Sequence, residues 1–312
     1  SVVLCVVPMF HITGMVSVMH TAIYTGGTLV IMPRWDRDLA GRLISRYKVS
    51  NWTNIPTMVI DLLASPRFAE YDLSSLVYMG GGGAAMPQAV AQRLLDNYGL
   101  RYVEGYGLTE TAAPSHSNPV DDPKQQCLGI PFMSTDARVI DPDTLQEMPV
   151  GEQGEIIMHG PEVFQGYWKR PDATAQAFIE FEGKKFFRSG DLGRMDEDGY
   201  FFLTDRLKRM INASGFKVWP AEVEALMFRN PAVQEACIIS TQDAYRGESV
   251  KAVVVLRATH KDTTEQQMID WCRENMAVYK VPRTVQFVDV LPKSGTGKVM
   301  WRALQEAEAK AV

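Results

Sequence analysis

The chain has 312 residues, 46% of them hydrophobic and 22% charged, so it is long enough to bury a real core and to form about two domains. Its net charge of -5 and the lack of a Lys- and Arg-rich run argue against a surface built for nucleic acid or anionic lipid. The four cysteines are scattered, without a Cys-x-x-Cys pair or histidines at ligand spacing, which is typical of reduced thiols in a cytoplasmic protein.

The opening stretch, residues 1–32, is apolar, but His11, His20 and several Gly and Thr residues interrupt it before any run of membrane-spanning length. We therefore expect buried strand and helix there and no transmembrane segment. Residues 2–7 have the pattern of a strand already under way, with no initiator Met and no signal peptide. We expect from this that the chain is truncated at its front.

Residues 1–125 alternate β-rich runs with helical patterns, which predicts a parallel or mixed sheet flanked by helices. A strand over 28–32 is followed by a helix over 39–47. A second unit consists of a strand over 75–79, the glycine run 80–83, and a helix that begins near Pro87 and stops at Gly99. We assign these residues to the rear part of a large α/β domain.

Residues 126–204 lose the helical period, and Pro, Gly and Asp turns separate short strands, which predicts a small β-barrel-like subdomain. Its clearest elements are strands over 137–140 and 155–158 and a hairpin turn at 196–199. From 205 to 312 the pattern becomes α+β, and we expect a mobile C-terminal lid domain. Its predicted elements are a helix starting at Pro220, strands over 235–240 and 250–256, and a helix near 264–276.

The glycine run is the first candidate for a nucleotide site. Between a strand and a helix, residues without a Cβ let a flat ring or a phosphate approach the backbone. We place Gly82, Gly83 and Ala84 at that contact. A tight βα turn explains four glycines equally well, and the run does not match the G-x-G-x-x-G fingerprint.

The heptad 105–111, Gly-Tyr-Gly-Leu-Thr-Glu-Thr, is the second candidate. Glycines on both sides of Tyr106 predict an uncovered ring face on which a base could stack. Thr109 offers a hydroxyl for a phosphate, and Glu110 offers a carboxylate for Mg²⁺, which prefers oxygen ligands. A buried tyrosine and a helix cap at Thr109 are an equally good interpretation of the isolated heptad.

The heptad is followed by three further motifs, and together they resemble the acyl-CoA synthetase branch of the adenylate-forming, AMP-binding superfamily. These motifs are Arg-Ser-Gly-Asp at 188–191, Asp-Arg-Leu-Lys at 205–208 and Pro-Lys-Ser-Gly-Thr-Gly-Lys at 292–298. The resemblance covers essentially the whole chain and is strongest to bacterial fatty-acyl-CoA ligases, notably over 118–119, 129–131, 166–174 and 279–282. The Ser/Thr/Gly-rich phosphate loop that such enzymes carry near their front does not occur in this sequence.

The resemblance implies a two-step reaction that uses ATP, Mg²⁺ and coenzyme A. A small-molecule carboxylic acid, most similar to a fatty acid, first forms acyl-AMP and then a thioester. Asp191 would bind the ribose hydroxyls, Arg206 would add a ribose or phosphate contact, and Lys298 would neutralise charge at the acyl carboxylate and α-phosphate.

Three further residues receive roles from the resemblance alone. Lys208 matches a hinge between two orientations of the C-terminal domain. Gly215 lies in a segment similar to the loop that moves toward the thiol tunnel, although a hairpin turn would also need this glycine. His11 matches a residue that lines the acyl pocket, whereas a lone histidine beside apolar residues is more often part of the core.

Two other functions remain open at this point. The same motifs fit an adenylation module that loads a carrier protein, or a luciferase-like oxygenase. Without a front phosphate loop, the chain is also compatible with a nucleotide-binding fragment that lacks activity. We expect no nucleic-acid partner, and neither the acyl chain length nor the oligomeric state follows from the sequence.

Overall fold

The protein is described by a computed structural model that covers residues 1–83, 85–213, 216–243, 247–295 and 297–311, without the side chains of Lys208 and Ala311. The chain forms two compact units. The first comprises residues 1–189 and 193–203, and the second comprises residues 190–192 and 204–312. The finer division at 125 and 204 stays a prediction.

The first unit contains a seven-stranded sheet in the order β2-β1-β3-β4-β5-β6-β7. The first five strands run parallel to their neighbours, whereas β6 and β7 are antiparallel. This is the mixed sheet that the sequence predicts. Its strands are β1 (Val2–Cys5), β2 (Thr28–Ile31), β3 (Asn51–Asn54), β4 (Tyr78–Gly81), β5 (Tyr102–Leu108), β6 (Ala113–Ser117) and β7 (Ile130–Pro131).

Helices cover this sheet and bury a core around Trp52, Leu62 and Leu94. The caps are readable from sequence: Asp36 accepts a hydrogen bond from the Leu39 N–H at 2.7 Å at the start of one helix, and Gly99 ends another with φ +65°. The helices are a π-helix at Thr13–His20, then α1 (Thr21–Tyr24), α2 (Arg37–Tyr47), α3 (Pro56–Leu63) and α4 (Gln88–Tyr98), with 3₁₀ turns at Phe68–Glu70 and Thr109–Thr111.

The structure corrects the predicted strand over 75–79, because β4 begins at Tyr78 and includes the first two glycines of the run. A Cβ on Gly80 would lie 2.4 Å from the carbonyl oxygen of Val103, and one on Gly81 would lie 1.8 Å from that of Asn54. These two glycines therefore serve close backbone packing inside the sheet.

A second sheet in the order β10-β11-β9-β8, with β12 paired to β11, follows in the chain. The predicted strands over 137–140 and 155–158 are confirmed as β8 and β9, and the predicted hairpin joins β11 to β12 through a hydrogen bond from Asp196 N–H to the Tyr200 carbonyl. The elements are β8 (Asp136–Ile140), β9 (Gly154–His159), α5 (Pro171–Ala177), β10 (Phe178–Phe181), β11 (Lys184–Met195) and β12 (Phe201–Arg206).

The second unit is α+β, as predicted, with a sheet in the order β14-β13-β16-β15 and β17 paired to β16. Asp205 accepts a hydrogen bond from the Ala221 N–H at 2.6 Å at the start of α6, and Thr264 forms a capping box at the start of α7. Its core includes Val218, Val233 and Met268. The elements are β13 (Ile211–Ala213), β14 (Phe216–Val218), α6 (Pro220–Met227), β15 (Val233–Asp243), β16 (Gly247–Leu256), α7 (Glu265–Asn275), β17 (Thr284–Phe287) and α8 (Trp301–Ala311), with 3₁₀ turns at Leu207–Arg209, Ala258–His260 and Val278–Lys280.

None of the helices in the described ranges is long and apolar enough to cross a membrane.

Candidate active site

The glycine segment after β4 lies directly against the backbone of β5. A Cβ on Gly82 would be 2.4 Å from the carbonyl oxygen of Gly105, and Gly83 has φ +83°, a conformation that other residues adopt only with strain. Of the three predicted nucleotide contacts, Gly82 therefore lies beside the first glycine of the heptad, and Gly83 follows it just after the carboxyl end of β4. Ala84, the third, lies outside the described residues.

Tyr106 is buried, with 8% of its surface exposed. Its ring meets the edge of His116 at a centroid distance of 5.6 Å and belongs to a core cluster with Ile156 and Phe201. The expectation of an uncovered ring face is therefore wrong, because side chains from β6 and the second sheet fill the space beside the small glycines. A nucleotide contact at Tyr106 stays a prediction.

The end of the heptad forms a tight turn that Thr111 closes. The Leu108 N–H donates to Thr111 Oγ1 at 2.9 Å, and Thr111 Oγ1 donates to the Ala113 carbonyl at 2.9 Å. Thr111, and not Thr109, is thus the capping residue, and Thr109 is left exposed. Its hydroxyl is available to a ligand.

Glu110 is held by the segment around Phe164 and Tyr167. Tyr167 Oη donates to Glu110 Oε1 at 2.8 Å, and the Phe164 N–H donates to the Glu110 carbonyl at 2.8 Å. Partial burial, together with this carboxylate, raises the pKa of Tyr167 to about 12, so the hydroxyl stays protonated and keeps donating. This hydrogen bond orients the Glu110 carboxylate and uses only one of its two oxygens.

In the second unit, Asp191 and Arg206 form an ion pair with a distance of 2.9 Å between Arg206 Nε and Asp191 Oδ1. Asp191 is 1% exposed, whereas the Arg206 side chain is 42% exposed. A buried carboxylate of this kind needs a cation or several donors to stay ionised. The two residues that the resemblance assigns to nucleotide binding are therefore adjacent.

Lys298 lies on a small hairpin in which Lys293 pairs with Val299. The Ser294 N–H donates to the Lys298 carbonyl at 2.8 Å, and the Gly297 N–H donates to the Ser294 carbonyl at 2.9 Å. Partial desolvation of the ammonium and the nearby Arg206 cation lower the pKa of Lys298, while the Asp191 carboxylate opposes them. The charges of Arg206 and Asp191 therefore both act on the Lys298 ammonium.

The remaining predicted residues lie elsewhere. His11 is half-buried before the Thr13–His20 helix, where its Nδ1 accepts the Thr13 N–H at 3.3 Å. Lys208 lies in the Leu207–Arg209 turn, but its side chain is outside the described residues, as is all of Gly215. On either side, Ala213 and Phe216 pair as β13 and β14.

The profile of the AMP-binding enzyme family matches residues 1–168, and that of the AMP-binding enzyme C-terminal domain matches residues 222–298. The chain belongs to the AMP-binding enzyme family. It is 38% identical over 309 residues to a long-chain-fatty-acid–CoA ligase of Bacillus subtilis (strain 168), covering 99% of this chain and 54% of the ligase. It is 37% identical over 298 residues to a feruloyl-CoA synthase of Amycolatopsis sp., covering 94% of this chain and 59% of that protein.

Among solved structures, ATP-bound MatB from Rhodopseudomonas palustris superimposes with a TM-score of 0.90 and 32% identity, covering 98% of this chain and 60% of MatB. The AMP-binding chain described here therefore spans little more than half the length of the relatives that it matches.

The sequence predicts Mg²⁺ as a cofactor, and the surroundings of Glu110 fit such an ion. Among the described residues, no three His, Cys, Asp or Glu side chains cluster as a metal site. Mg²⁺ bound to a nucleotide takes most ligands from phosphate and water and needs only one or two carboxylates. Glu110, fixed by Tyr167 through one oxygen, can supply one.

Sequence reasoning missed two buried polar residues of this AMP-binding chain, Glu104 and His116. Glu104 accepts hydrogen bonds from the Met86 N–H at 2.7 Å and from the Gln126 N–H at 2.6 Å. Burial raises the pKa of Glu104, and these hydrogen bonds partly oppose the rise. Burial lowers the pKa of His116 to about 4. The signal that could have found them is the same for both: an ionisable residue at an inward position of a strand that carries or directly follows the heptad.

Proposed function

We propose that the natural protein containing this chain is a cytoplasmic, ATP-dependent acyl-CoA synthetase that acts on a fatty acid. In the first step the carboxylate oxygen of the acid attacks the α-phosphorus of ATP, forming acyl-AMP and releasing pyrophosphate. In the second, the coenzyme A thiol attacks the acyl carbon, the acyl–phosphate bond breaks, and AMP leaves as the thiol proton passes to solvent.

The grouping of Asp191, Arg206 and Lys298 carries this proposal. One buried carboxylate beside two cations suits a nucleotide: the carboxylate accepts from both ribose hydroxyls, and the cations face the phosphate. Burial and the Arg206 cation lower the pKa of Lys298, and a bound anion would oppose both effects, so we propose a phosphate and a carboxylate as ligands there.

In the first unit, the exposed hydroxyl of Thr109 and the carboxylate of Glu110 are proposed to face the phosphates and their Mg²⁺. When bound, Mg²⁺ supplies charge neutralisation on the phosphate oxygens. Gly82 and Gly83 are proposed to offer backbone to the base, with Tyr106 packed behind them. Rate acceleration then comes from positioning and electrostatics, because no side chain acts as a covalent nucleophile.

The similarity to the Bacillus subtilis long-chain-fatty-acid–CoA ligase favours a fatty acid as the substrate of this protein. An aryl acid is the second candidate, because the chain is nearly as similar to the feruloyl-CoA synthase. His11 is proposed to line the acyl pocket, Gly215 to border the thiol path and Lys208 to act as a hinge.

The experiment is product analysis with the natural full-length protein, ATP and Mg²⁺. A long-chain fatty acid and a hydroxycinnamic acid are offered in parallel, each with coenzyme A or with a phosphopantetheinylated carrier domain. Fatty-acyl-CoA and AMP in equal amounts are expected. Product only on the carrier domain would replace the synthetase proposal with an adenylation module, and product only from the cinnamate would replace the fatty acid with an aryl acid.

A further inference from the structure

We propose that Glu104 is a positioning residue that sets the shape of the nucleotide pocket by fastening two loops to strand β5. The inference rests on the proposed function, since it concerns the same site. Glu104 precedes the heptad by one residue and is 6% exposed. None of the motif roles includes it.

The first loop is the one that follows the glycine run. Gly81 of β4 pairs with Glu104 of β5, and the chain then passes the Gly105 carbonyl at Gly82. It returns to β5 at Met86, whose N–H donates to Glu104 Oε1 at 2.7 Å. The glycine segment is therefore anchored to β5 at both ends, by strand pairing before it and by a carboxylate after it.

The second loop is held by the other oxygen of the same carboxylate. The Gln126 N–H donates to Glu104 Oε2 at 2.6 Å. Asn118 holds the beginning of this loop, since its Nδ2 donates to the Glu104 carbonyl at 2.9 Å and to the Cys127 carbonyl at 2.8 Å. Its Oδ1 accepts the Lys124 N–H at 3.0 Å.

Only an ionised carboxylate fits this arrangement fully, because each oxygen faces a backbone N–H donor. A glutamine at position 104 has nearly the same shape, but its NH₂ group would face one of the two N–H groups and could not accept from it. A buried N–H without an acceptor is costly, so one loop would detach from β5.

The test compares Glu104→Gln, Glu104→Asp and wild type in the natural full-length protein. The matched control is Asp38→Asn, which alters a carboxylate that accepts from Ser65 Oγ at 2.6 Å and Tyr71 Oη at 2.7 Å in the helical layer. Two readouts are taken: hydrogen exchange of the backbone amides in peptides covering 85–90 and 122–128 without nucleotide, and steady-state kinetics with ATP varied.

We expect at least one of the two peptides to exchange about tenfold faster in Glu104→Gln, since a buried amide loses its charged acceptor. KM for ATP is expected to rise about tenfold with kcat within twofold of wild type, and Glu104→Asp, which keeps the charge, to recover part of the loss. Asp38→Asn should change neither readout.

Unchanged exchange in both peptides would overturn the inference, as would faster exchange with an unchanged KM for ATP, or a fall in kcat alone. A wild-type protein that neither binds ATP nor uses it would overturn the proposed function itself. That failure is distinguishable, because it appears without any substitution at position 104.

Discussion

Arg206 Nε lies 2.9 Å from Oδ1 of Asp191, so a half-exposed cation covers a carboxylate that is almost completely buried. These residues come from strands β11 and β12 and belong to two separate sequence motifs. Their proximity is the firmest link between the motifs and a nucleotide site. It also means that removing the Arg206 charge would take this cation away from a carboxylate that is poorly solvated.

Replacing Asp191 by alanine is expected to weaken ATP binding about tenfold or more. The reason is the loss of a buried acceptor for the ribose hydroxyls, together with an unpaired Arg206 that no longer holds its position. Isothermal titration calorimetry of the full-length variant measures the change. Asp198→Asn, on the exposed 196–199 turn, serves as the control and should bind ATP as wild type does; equal affinities in Asp191→Ala and wild type would refute the ribose role.

Replacing Lys298 by alanine is expected to lower the rate of acyl-AMP formation by about 10²-fold or more, the usual effect of losing a group that neutralises developing charge. Thioester formation from supplied acyl-AMP and coenzyme A should be nearly unchanged. The two half-reactions are measured separately. Lys293→Ala, on the same hairpin, removes a surface ion pair with Glu235 and should leave both intact; equal losses in both half-reactions of Lys298→Ala would contradict the assignment.

His116 is expected to make the protein less stable in mild acid. Its ring packs between Tyr106 and Phe201, with Ser115 Oγ 3.0 Å from Nδ1 and, among the described residues, no partner on Nε2. Because burial lowers the folded-state pKa from 6.5 to about 4, the unfolded chain binds more protons between these pH values. The stability is therefore fully present above pH 6.5 and falls as the pH drops toward 4, by up to about 3 kcal/mol.

Urea unfolding of wild type and His116→Phe across this pH range checks the effect. The phenylalanine variant should lose less stability on acidification, and replacement of the exposed His20 by phenylalanine should follow wild type. Parallel pH curves for wild type and His116→Phe would show that another group is responsible.

Gly107→Ala is expected to destabilise the first unit by about 1–3 kcal/mol, the range for forcing atoms into a filled space. A Cβ there would lie 2.0 Å from the Ala113 carbonyl across the β5–β6 pair. Gly160→Ala is the control, since the atoms nearest to its Cβ would belong to the movable end of the Glu162 side chain. Urea midpoints provide the measurement, and equal midpoints for the two variants would contradict the argument.

Local signals account for the parts of the fold that the sequence predicted well. Gly99 ends α4, Pro220 starts α6, and the Asp-rich turn joins β11 to β12, because each depends on a residue's own backbone preference. The start of β4 was misplaced because Gly80 and Gly81 are in the strand for packing reasons that a propensity scale counts against them.

The site was harder to predict where side chains meet across the fold. The burial of Tyr106 depends on His116 and Phe201, and the role of Glu104 depends on amides 18 and 22 residues away. Such partners are set by strand order and loop path, and no periodicity in the sequence carries them. The motif residues themselves could be named because their chemistry is local.

Carboxylate-dependent ATP–pyrophosphate exchange by the natural full-length protein is the decisive measurement, because it reports acyl-AMP formation alone. We expect rapid exchange with a fatty acid, none without a carboxylate, a loss of about 10²-fold in Lys298→Ala and no loss in Lys293→Ala. Absence of exchange in the wild-type protein with every carboxylate offered, or equal exchange in the two lysine variants, would contradict it.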